Sequence, residues 1–283
     1  MTTSGERGPS RSVDFTATGV AVYLSPMFRA LLLSLIFLLS PIAAIACGGA
    51  EACAIGDREY HAAPPPDWDD ASALPVLLHF HGWGRRSSGV IKNQRVAGPA
   101  AANGVLLLAP QGLGRSWSFW SEDSRDSDFA IEVIEDAASR WNIDRSRIFV
   151  SGFSYGGAMA WRLACDKGRV ATRFLPIAGS LWSGDRENCL EPVALSHVHG
   201  LKDTVMDYPF GPNGEEEGAV SLWLRENQCK AKPDQVEAVD RFQCRRWTSC
   251  GGPPVELCTH PGGHFIPKTW LGYALPRALA QSG

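Results

Sequence analysis

Residues 147–157 read Arg-Ile-Phe-Val-Ser-Gly-Phe-Ser-Tyr-Gly-Gly, and Ala-Met-Ala-Trp-Arg-Leu-Ala follows them. An apolar β-branched run, a G-x-S-x-G pentapeptide and a helix-forming run predict strand, tight turn and helix, with Ser154 at the turn. Gly152 and Gly156 leave room for a strained turn whose serine points away from the sheet. A reactive serine needs a histidine base, an acid that orients the base, and donors for an oxyanion. The alternative is a glycine-rich turn that carries an ordinary serine.

Length, composition and charge are those of an ordinary globular protein. The 283 residues are 45% hydrophobic and 20% charged, with a formal net charge of -3. A chain of this length can bury one substantial core. The sequence contains no basic block, which argues against nucleic acid as a partner.

The segment before the first cysteine has the features of a secretory signal peptide. Arg29 precedes an apolar run over 30–39, and an Ala-Ile-Ala site at 44–46 precedes Cys47. We therefore expect residues 27–46 to be a signal peptide and the mature protein to be secreted or periplasmic, without stable membrane insertion. A membrane anchor is disfavoured because the run is short and interrupted by serine and proline. Lipid attachment at Cys47 is a further alternative.

Residues 1–26 are polar and rich in serine, threonine and glycine, which is unusual ahead of a signal peptide. Met27 lies where such a peptide normally begins. We expect residues 1–26 to be a misplaced start or a disordered segment, and residues 47–283 to form one catalytic domain.

After Cys47, apolar runs typical of buried strands alternate with segments of helical periodicity. The predicted strands lie at 58–61, 74–80, 104–110, 147–153, 174–178, 193–198 and 255–258, and the predicted helices at 90–103, 126–141, 158–164, 220–227 and 270–280. This alternation predicts an α/β fold, a mostly parallel sheet with helices on both faces.

Loops that follow predicted strands carry polar residues at the carboxyl ends of the strands, where the working residues of such sheets lie. His81-Gly82-Trp83-Gly84 follows the first buried strand. Its backbone offers the Trp83 N–H as an oxyanion donor, and the N–H of Tyr155, beside the turn serine, is the second expected donor. The alternative is that His81 merely ends a strand.

Two later loops supply an acid and a base. Asp203 follows a predicted strand in a loop that begins at His199, and it is placed to orient a histidine. Asp207 is its competitor and is disfavoured because it lies farther from the strand end. His264, in a glycine-flanked loop after the last strand, is the expected base. With Ser154 these residues follow the chain order of α/β-hydrolases: nucleophile, acid, base.

Four motifs carry a resemblance to a known family: His81-Gly82, residues 152–157, His199-Gly200-x-x-Asp203 and residues 262–267. In them the chain resembles the secreted polyhydroxybutyrate depolymerase and feruloyl-esterase-like group of α/β-hydrolases, esterase family 1, over essentially its whole mature length. The resemblance implies the α/β-hydrolase fold and a serine esterase that needs no metal or organic cofactor. It assigns Ser154 as nucleophile, Asp203 as acid and His264 as base.

Two loops depart from the pattern of that family. Lys202 stands before the acid where small residues are usual, and the next proline is Pro209. Ile266 stands before Pro267 where the family usually has tryptophan. Neither change touches a catalytic atom, but both bear on the shape of the acyl pocket.

The first expectation for function is a secreted serine esterase that depolymerises polyhydroxybutyrate or a related polyhydroxyalkanoate. A feruloyl or acetylxylan esterase is the alternative, and a serine peptidase or a non-catalytic binding module of the same fold are less favoured. Trp117, Phe119 and Trp120 follow the second buried strand, and we expect them to bind an apolar or aromatic part of the ester substrate. Alternatively, they pack the rim against the next helix.

The eight cysteines include no C-x-x-C pair, which favours disulfides over zinc and an oxidising compartment. Proximity along the chain suggests four bonds: Cys47–Cys53, Cys165–Cys189, Cys229–Cys250 and Cys244–Cys258. On this argument the partners in the last two pairs are interchangeable.

Overall fold

The computed structural model describes residues 47–121, 124–181, 189–206 and 219–282. The expected signal peptide, the segment 1–26 and the rival acid Asp207 lie outside the described residues. Within the described ranges, no helix is long and apolar enough to cross a membrane.

One mixed sheet runs through the described residues. Its strands are β1 Cys53–Ile55, β2 Arg58–Ala63, β3 Leu74–Phe80, β4 Leu106–Pro110, β5 Ile143–Phe153, β6 Arg173–Ile177, β7 Leu195–Gly200, β8 Gln235–Val239, β9 Phe242–Trp247 and β10 Val255–His260. They lie in the order β1-β2-β4-β3-β5-β6-β7-β10-β9-β8. The six strands from β4 to β10 in this order are parallel. Antiparallel strands flank them on both sides.

Helices cover both faces of this sheet. They are α1 Ser87–Lys92, α2 Ala97–Ala102, α3 Arg125–Arg140, α4 Tyr155–Lys167, α5 Ala219–Glu226 and α6 Trp270–Ala280. One hydrophobic cluster joins the sheet to α3 and α4 through Phe129 and Trp161, and the other joins it to α2 and α6 through Ala100 and Trp270. Strands β3, β4, β6, β7 and β10 are buried at every position, as expected for strands covered on both faces. The predicted α/β class is confirmed.

Two parts of the fold differ from the sequence prediction. The helix predicted over 90–103 is two short helices, because Asn93 turns out of helical conformation and its side chain accepts the Arg95 N–H. The edge strands β1 and β8 and the strand β9 beside β8 were not predicted. Strand β8 is exposed at four of its five positions, so it lacks the buried apolar residues that mark a core strand.

Four disulfides join the pairs named above, Cys47–Cys53, Cys165–Cys189, Cys229–Cys250 and Cys244–Cys258. Cys244 and Cys258 face each other across the neighbouring strands β9 and β10. The structure thereby resolves which partners belong to the last two pairs.

Helix α4 packs with its first turn directly on the sheet. A Cβ built on Gly156 would lie 2.1 Å from the carbonyl oxygen of Phe80, at the end of β3. A Cβ on Gly152 would lie 2.0 Å from the Gly156 carbonyl oxygen. Both contacts are with backbone, so no side chain can move aside to relieve them. Glycine at these two positions lets the helix begin immediately after β5.

We predict that Gly156→Ala lowers the free energy of unfolding by about 3 kcal/mol, because the added methyl group overlaps the backbone of β3. Gly272→Ala is the control, since a Cβ at that helical position meets nothing within 4 Å. It is expected to be neutral or to stabilise by up to about 1 kcal/mol. Urea unfolding of the disulfide-intact protein, followed by tryptophan fluorescence, measures both. Equal stability of the two variants would contradict this packing.

Candidate active site

Ser154 lies on a sharp turn between β5 and α4. Its backbone has φ 58° and ψ -122°, a strained conformation for a residue with a side chain. The Ser154 N–H donates to the carbonyl of Ile177 on the neighbouring strand at 3.0 Å, which holds the turn in place. This geometry matches the strand, turn and helix predicted from the pentapeptide.

The structure brings Ser154, His264 and Asp203 into one chain of hydrogen bonds. His264 Nε2 lies 2.8 Å from Ser154 Oγ, and His264 Nδ1 lies 2.7 Å from Asp203 Oδ2. A neutral imidazole satisfies both contacts if Nδ1–H donates to the carboxylate and Nε2 accepts from the serine hydroxyl. The Phe153 ring packs against the imidazole, with ring centroids 4.8 Å apart. The histidine is therefore oriented from two sides.

Asp203 is held in its loop by the backbone that follows it. Its Oδ1 accepts the N–H groups of Val205 at 2.9 Å and Met206 at 3.0 Å. Burial on its own raises the pKa of this carboxyl group. The hydrogen bonds from His264 and from the two N–H groups outweigh burial and hold the pKa below its ordinary value. Asp203 therefore remains a carboxylate at neutral pH.

A buried histidine fixes the loop after β3. His81 Nε2 accepts the Gly112 N–H at 3.1 Å, so the proton of a neutral ring is on Nδ1, which contacts the Gly82 carbonyl at 2.9 Å. Burial, the main influence, lowers the pKa of His81, which keeps the ring neutral. His81 thus ties the loop after β3 to the loop after β4, a larger role than ending a strand.

The two expected oxyanion donors lie on either side of Ser154. Gly82 is so close to the serine that a Cβ built on it would lie 3.7 Å from Ser154 Cβ, and Trp83 follows it directly. Among the described residues the Trp83 N–H has no hydrogen-bond partner, whereas the neighbouring Gly84 N–H donates to Arg115. Tyr155 is the first residue of α4, where N–H groups point out of the helix end.

The predicted substrate aromatics do not share one environment. Trp117 and Phe119 are only 2% exposed, and Trp117 Nε1 donates to the His81 carbonyl at 2.7 Å. Phe119 packs edge-on against Tyr155. These two rings therefore support the loops of the site and do not form its surface, which corrects the prediction for them. Trp120 is 58% exposed and remains available to a substrate.

Sequence analysis missed a pair of buried histidines behind the acid. His197 Nδ1 lies 3.1 Å from the Pro176 carbonyl, His197 Nε2 lies 3.1 Å from His199 Nδ1, and His199 Nε2 lies 2.9 Å from the Met206 carbonyl. His199 Nε2 is also 3.4 Å from Asp203 Oδ2. The His-x-His spacing at the end of the predicted strand was a usable signal, because the strand continues to Gly200 and alternate residues of a strand face the same side.

These contacts determine how many protons the pair holds. A carbonyl oxygen only accepts a hydrogen bond, so His197 Nδ1 and His199 Nε2 must each carry a proton to bond their carbonyls. A hydrogen bond between the two rings needs a third proton. Two neutral imidazoles supply two protons, so hydrogen bonds at all three contacts would require one ring to be an imidazolium. Burial, with the neighbouring His199, holds the pKa of His197 well below its ordinary value. We therefore predict that, with all three bonds made, the extra proton lies on His199, beside the Asp203 carboxylate.

Comparison with known proteins gives relatives of moderate similarity. The chain is 26% identical to the probable feruloyl esterase C of Aspergillus niger, over 74% of this chain and 77% of that protein. It is also 26% identical to the probable feruloyl esterase C of Aspergillus flavus, over 88% of this chain and 96% of that protein. No protein-family model matches the chain.

Among solved structures, the acetyl xylan esterase from Aspergillus awamori superposes with a TM-score of 0.59. It covers 76% of this chain and 94% of its own, at 16% sequence identity. At this identity the likeness concerns the fold alone. The chain has the α/β-hydrolase fold, as its motifs predicted.

The protonation of the histidine pair can be observed directly by NMR. In protein labelled with ¹⁵N in its histidine rings, we expect one buried ring to carry protons on both nitrogens at pH 7, because the Asp203 carboxylate stabilises the charge. His199→Gln is expected to remove this signal. His61→Gln is the control, since His61 is also buried but contacts Ser87 Oγ. Two singly protonated rings at positions 197 and 199 would contradict the assignment.

Proposed function

We propose that this chain is a secreted serine carboxylic-ester hydrolase whose substrates are feruloyl or acetylxylan-type esters. The hydrogen-bonded chain Ser154–His264–Asp203 is the observation that carries the proposal. The names of the curated relatives support the esterase class and favour feruloyl esters. They favour this alternative over the first expectation from the sequence, polyhydroxybutyrate depolymerisation.

In the proposed mechanism, Ser154 Oγ attacks the ester carbonyl while His264 Nε2 takes its proton. Asp203 holds the tautomer of His264 and stabilises the imidazolium that forms. The N–H groups of Trp83 and Tyr155 donate to the oxyanion of the tetrahedral intermediate. His264 then protonates the departing alcohol, and a water molecule repeats the steps on the acyl-enzyme to release the acid.

A polyester substrate is a second candidate, because an apolar rim borders the site. Most of the large hydrophobic side chains exposed in the described residues lie on the loops at the carboxyl edge of the sheet: Trp83, Leu113, Trp120, Leu201, Val205 and Phe265. Such a rim suits an extended apolar or aromatic substrate. It fits a hydroxyalkanoate chain as well as a feruloyl group, so activity must separate the two.

Secretion is the proposed localisation. The four disulfides involve all eight cysteines, and such bonds persist in oxidising compartments. The predicted signal peptide agrees with this location.

Ser154→Ala is expected to lower hydrolysis of a small ester such as 4-nitrophenyl acetate by several orders of magnitude, because the nucleophile is lost. It is also expected to abolish labelling by a fluorophosphonate probe. Ser139→Ala is the control, since Ser139 is an exposed helical serine that caps the Asp136 carbonyl. Equal labelling of wild type and Ser154→Ala would refute the assignment. Absence of labelling in the wild type would favour a non-catalytic module.

The substrate class is tested on the disulfide-intact mature protein with methyl ferulate, acetylated xylan and amorphous polyhydroxybutyrate. We expect release of ferulate or acetate, measured by chromatography, and its loss in Ser154→Ala. Release of soluble 3-hydroxybutyrate in place of both acids would reject the cell-wall ester proposal and select the polyester.

A further inference from the structure

A cavity of about 530 Å³ opens beside the imidazole of His264. Its apolar wall is formed by Val90 and Val96 from the α1–α2 region, Phe153 from the end of β5, and Ile266. The cavity therefore borders the proposed base and extends along the carboxyl edge of the sheet toward α1. One substituent of an ester held on Ser154 can occupy it.

The charged residues that line this cavity are all arginines. Arg85, Arg86 and Arg95 lie at its border, and no aspartate or glutamate lines it. None of the three has a carboxylate partner within 4 Å in the part of the chain that the structure describes. Arg95 donates one N–H to the Ile266 carbonyl at 2.7 Å, which fixes it against the loop of His264. Its remaining N–H groups are available.

Four other arginines of the described residues do have carboxylate partners. Arg58, Arg145, Arg162 and Arg246 each lie within 4 Å of a carboxylate. A second cavity, of about 480 Å³, opens at the opposite edge of the sheet and contains Arg246 together with its partner Glu256. The cavity beside His264 thus differs in having no aspartate or glutamate among the described residues that line it.

The floor of the cavity adds a polar group. His79 lies on β3 and is 1% exposed, and its Nδ1 has no hydrogen-bond partner among the described residues. Burial, and then the neighbouring His81, lower the pKa of His79 to about 3, so the ring is neutral. Its position under the cavity leaves it one unused hydrogen-bonding atom.

From this arrangement we infer that the cavity binds a carboxylate carried by one substituent of the ester substrate. The apolar wall packs against the carbon skeleton between ester and carboxylate, and the guanidinium groups receive the carboxylate, for which their paired N–H groups are suited. This inference rests on the proposed function, because His264 and Ser154 define where the ester lies. It narrows the substrate class to esters with a negative charge near the scissile bond.

The test compares two esters of equal chain length. 4-Nitrophenyl hydrogen glutarate has a terminal carboxylate, and 4-nitrophenyl valerate has a methyl group in its place. Arg85→Gln, Arg86→Gln and Arg95→Gln are combined in one variant. We expect the ratio of kcat/KM for glutarate over valerate to fall about tenfold, with valerate hydrolysis nearly unchanged, because exposed charge pairs each contribute modestly. An unchanged ratio would overturn the inference.

Arg125→Gln is the matched control, since Arg125 is an exposed arginine on the other side of the site, in the cleft beside Trp120. It removes one charge without touching the cavity and should leave the ratio nearly unchanged. A fall as large as that in the triple variant would show general attraction of anions and would overturn the inference.

Binding of free glutarate, measured by calorimetry in wild type and triple variant, tests the cavity without hydrolysis. If the wild-type protein bound glutarate but hydrolysed no ester, the proposed function would be rejected and the cavity would still be a carboxylate site.

Two sources of carboxylate are distinguished by paired substrates. A 3-hydroxybutyrate trimer is compared with its methyl ester, and a feruloylated oligosaccharide that bears a uronate is compared with one that does not. If the wild type hydrolyses the carboxylate-bearing member of one pair faster, and the triple variant loses this preference, that pair identifies the source of the carboxylate. Preference for the neutral member in both pairs would count against a carboxylate site.

Discussion

The close contact between helix α4 and the sheet is the constraint on which the site depends. Gly156 touches the backbone at the end of β3, so the helix begins where β5 ends and Ser154 takes up its strained turn. The same contact brings the first helical N–H groups beside the loop of Trp83. One packing requirement therefore positions the proposed nucleophile and the expected oxyanion donors together. Strain at Ser154 is tolerated because backbone on both sides fixes it.

The proposed acid and base lie on the loops after β7 and β10, on the other side of β5 from the loop of Trp83. Parallel pairing of β7 with β10 places the loops of Asp203 and His264 side by side. Behind them, the His197–His199 pair lies against the carboxylate, with His199 Nε2 3.4 Å from Asp203 Oδ2. The positive charge predicted for His199 would offset part of the cost of burying a carboxylate that otherwise faces a neutral histidine. The hydrogen bonds of Asp203 thus connect the site to the interior of the sheet.

The sequence was sufficient for the fold class and for the loops of the site, because glycine-rich motifs mark the ends of buried strands. It was insufficient wherever the outcome depended on packing between distant segments. Trp117 and Phe119 follow a strand end like Trp120, but their burial is decided by contacts with His81 and Tyr155. The proton count of His199 likewise depends on carbonyl groups from other segments. The position of the three arginines around one cavity, with no acid beside them among the described residues, also depends on the packing of distant segments.

The disulfides of the β8–β9 hairpin have a consequence for proteolysis. The tip of the hairpin, at Asp240 and Arg241, lies between Cys229 on one side and Cys250 on the other. A protease that cuts after Arg241 leaves two fragments joined by this bond, while Cys244–Cys258 holds β9 on β10. Strand β10 keeps its pairing with β7, and His264 stays on the same fragment as β10. A nicked molecule therefore remains one covalent unit with its proposed base in place.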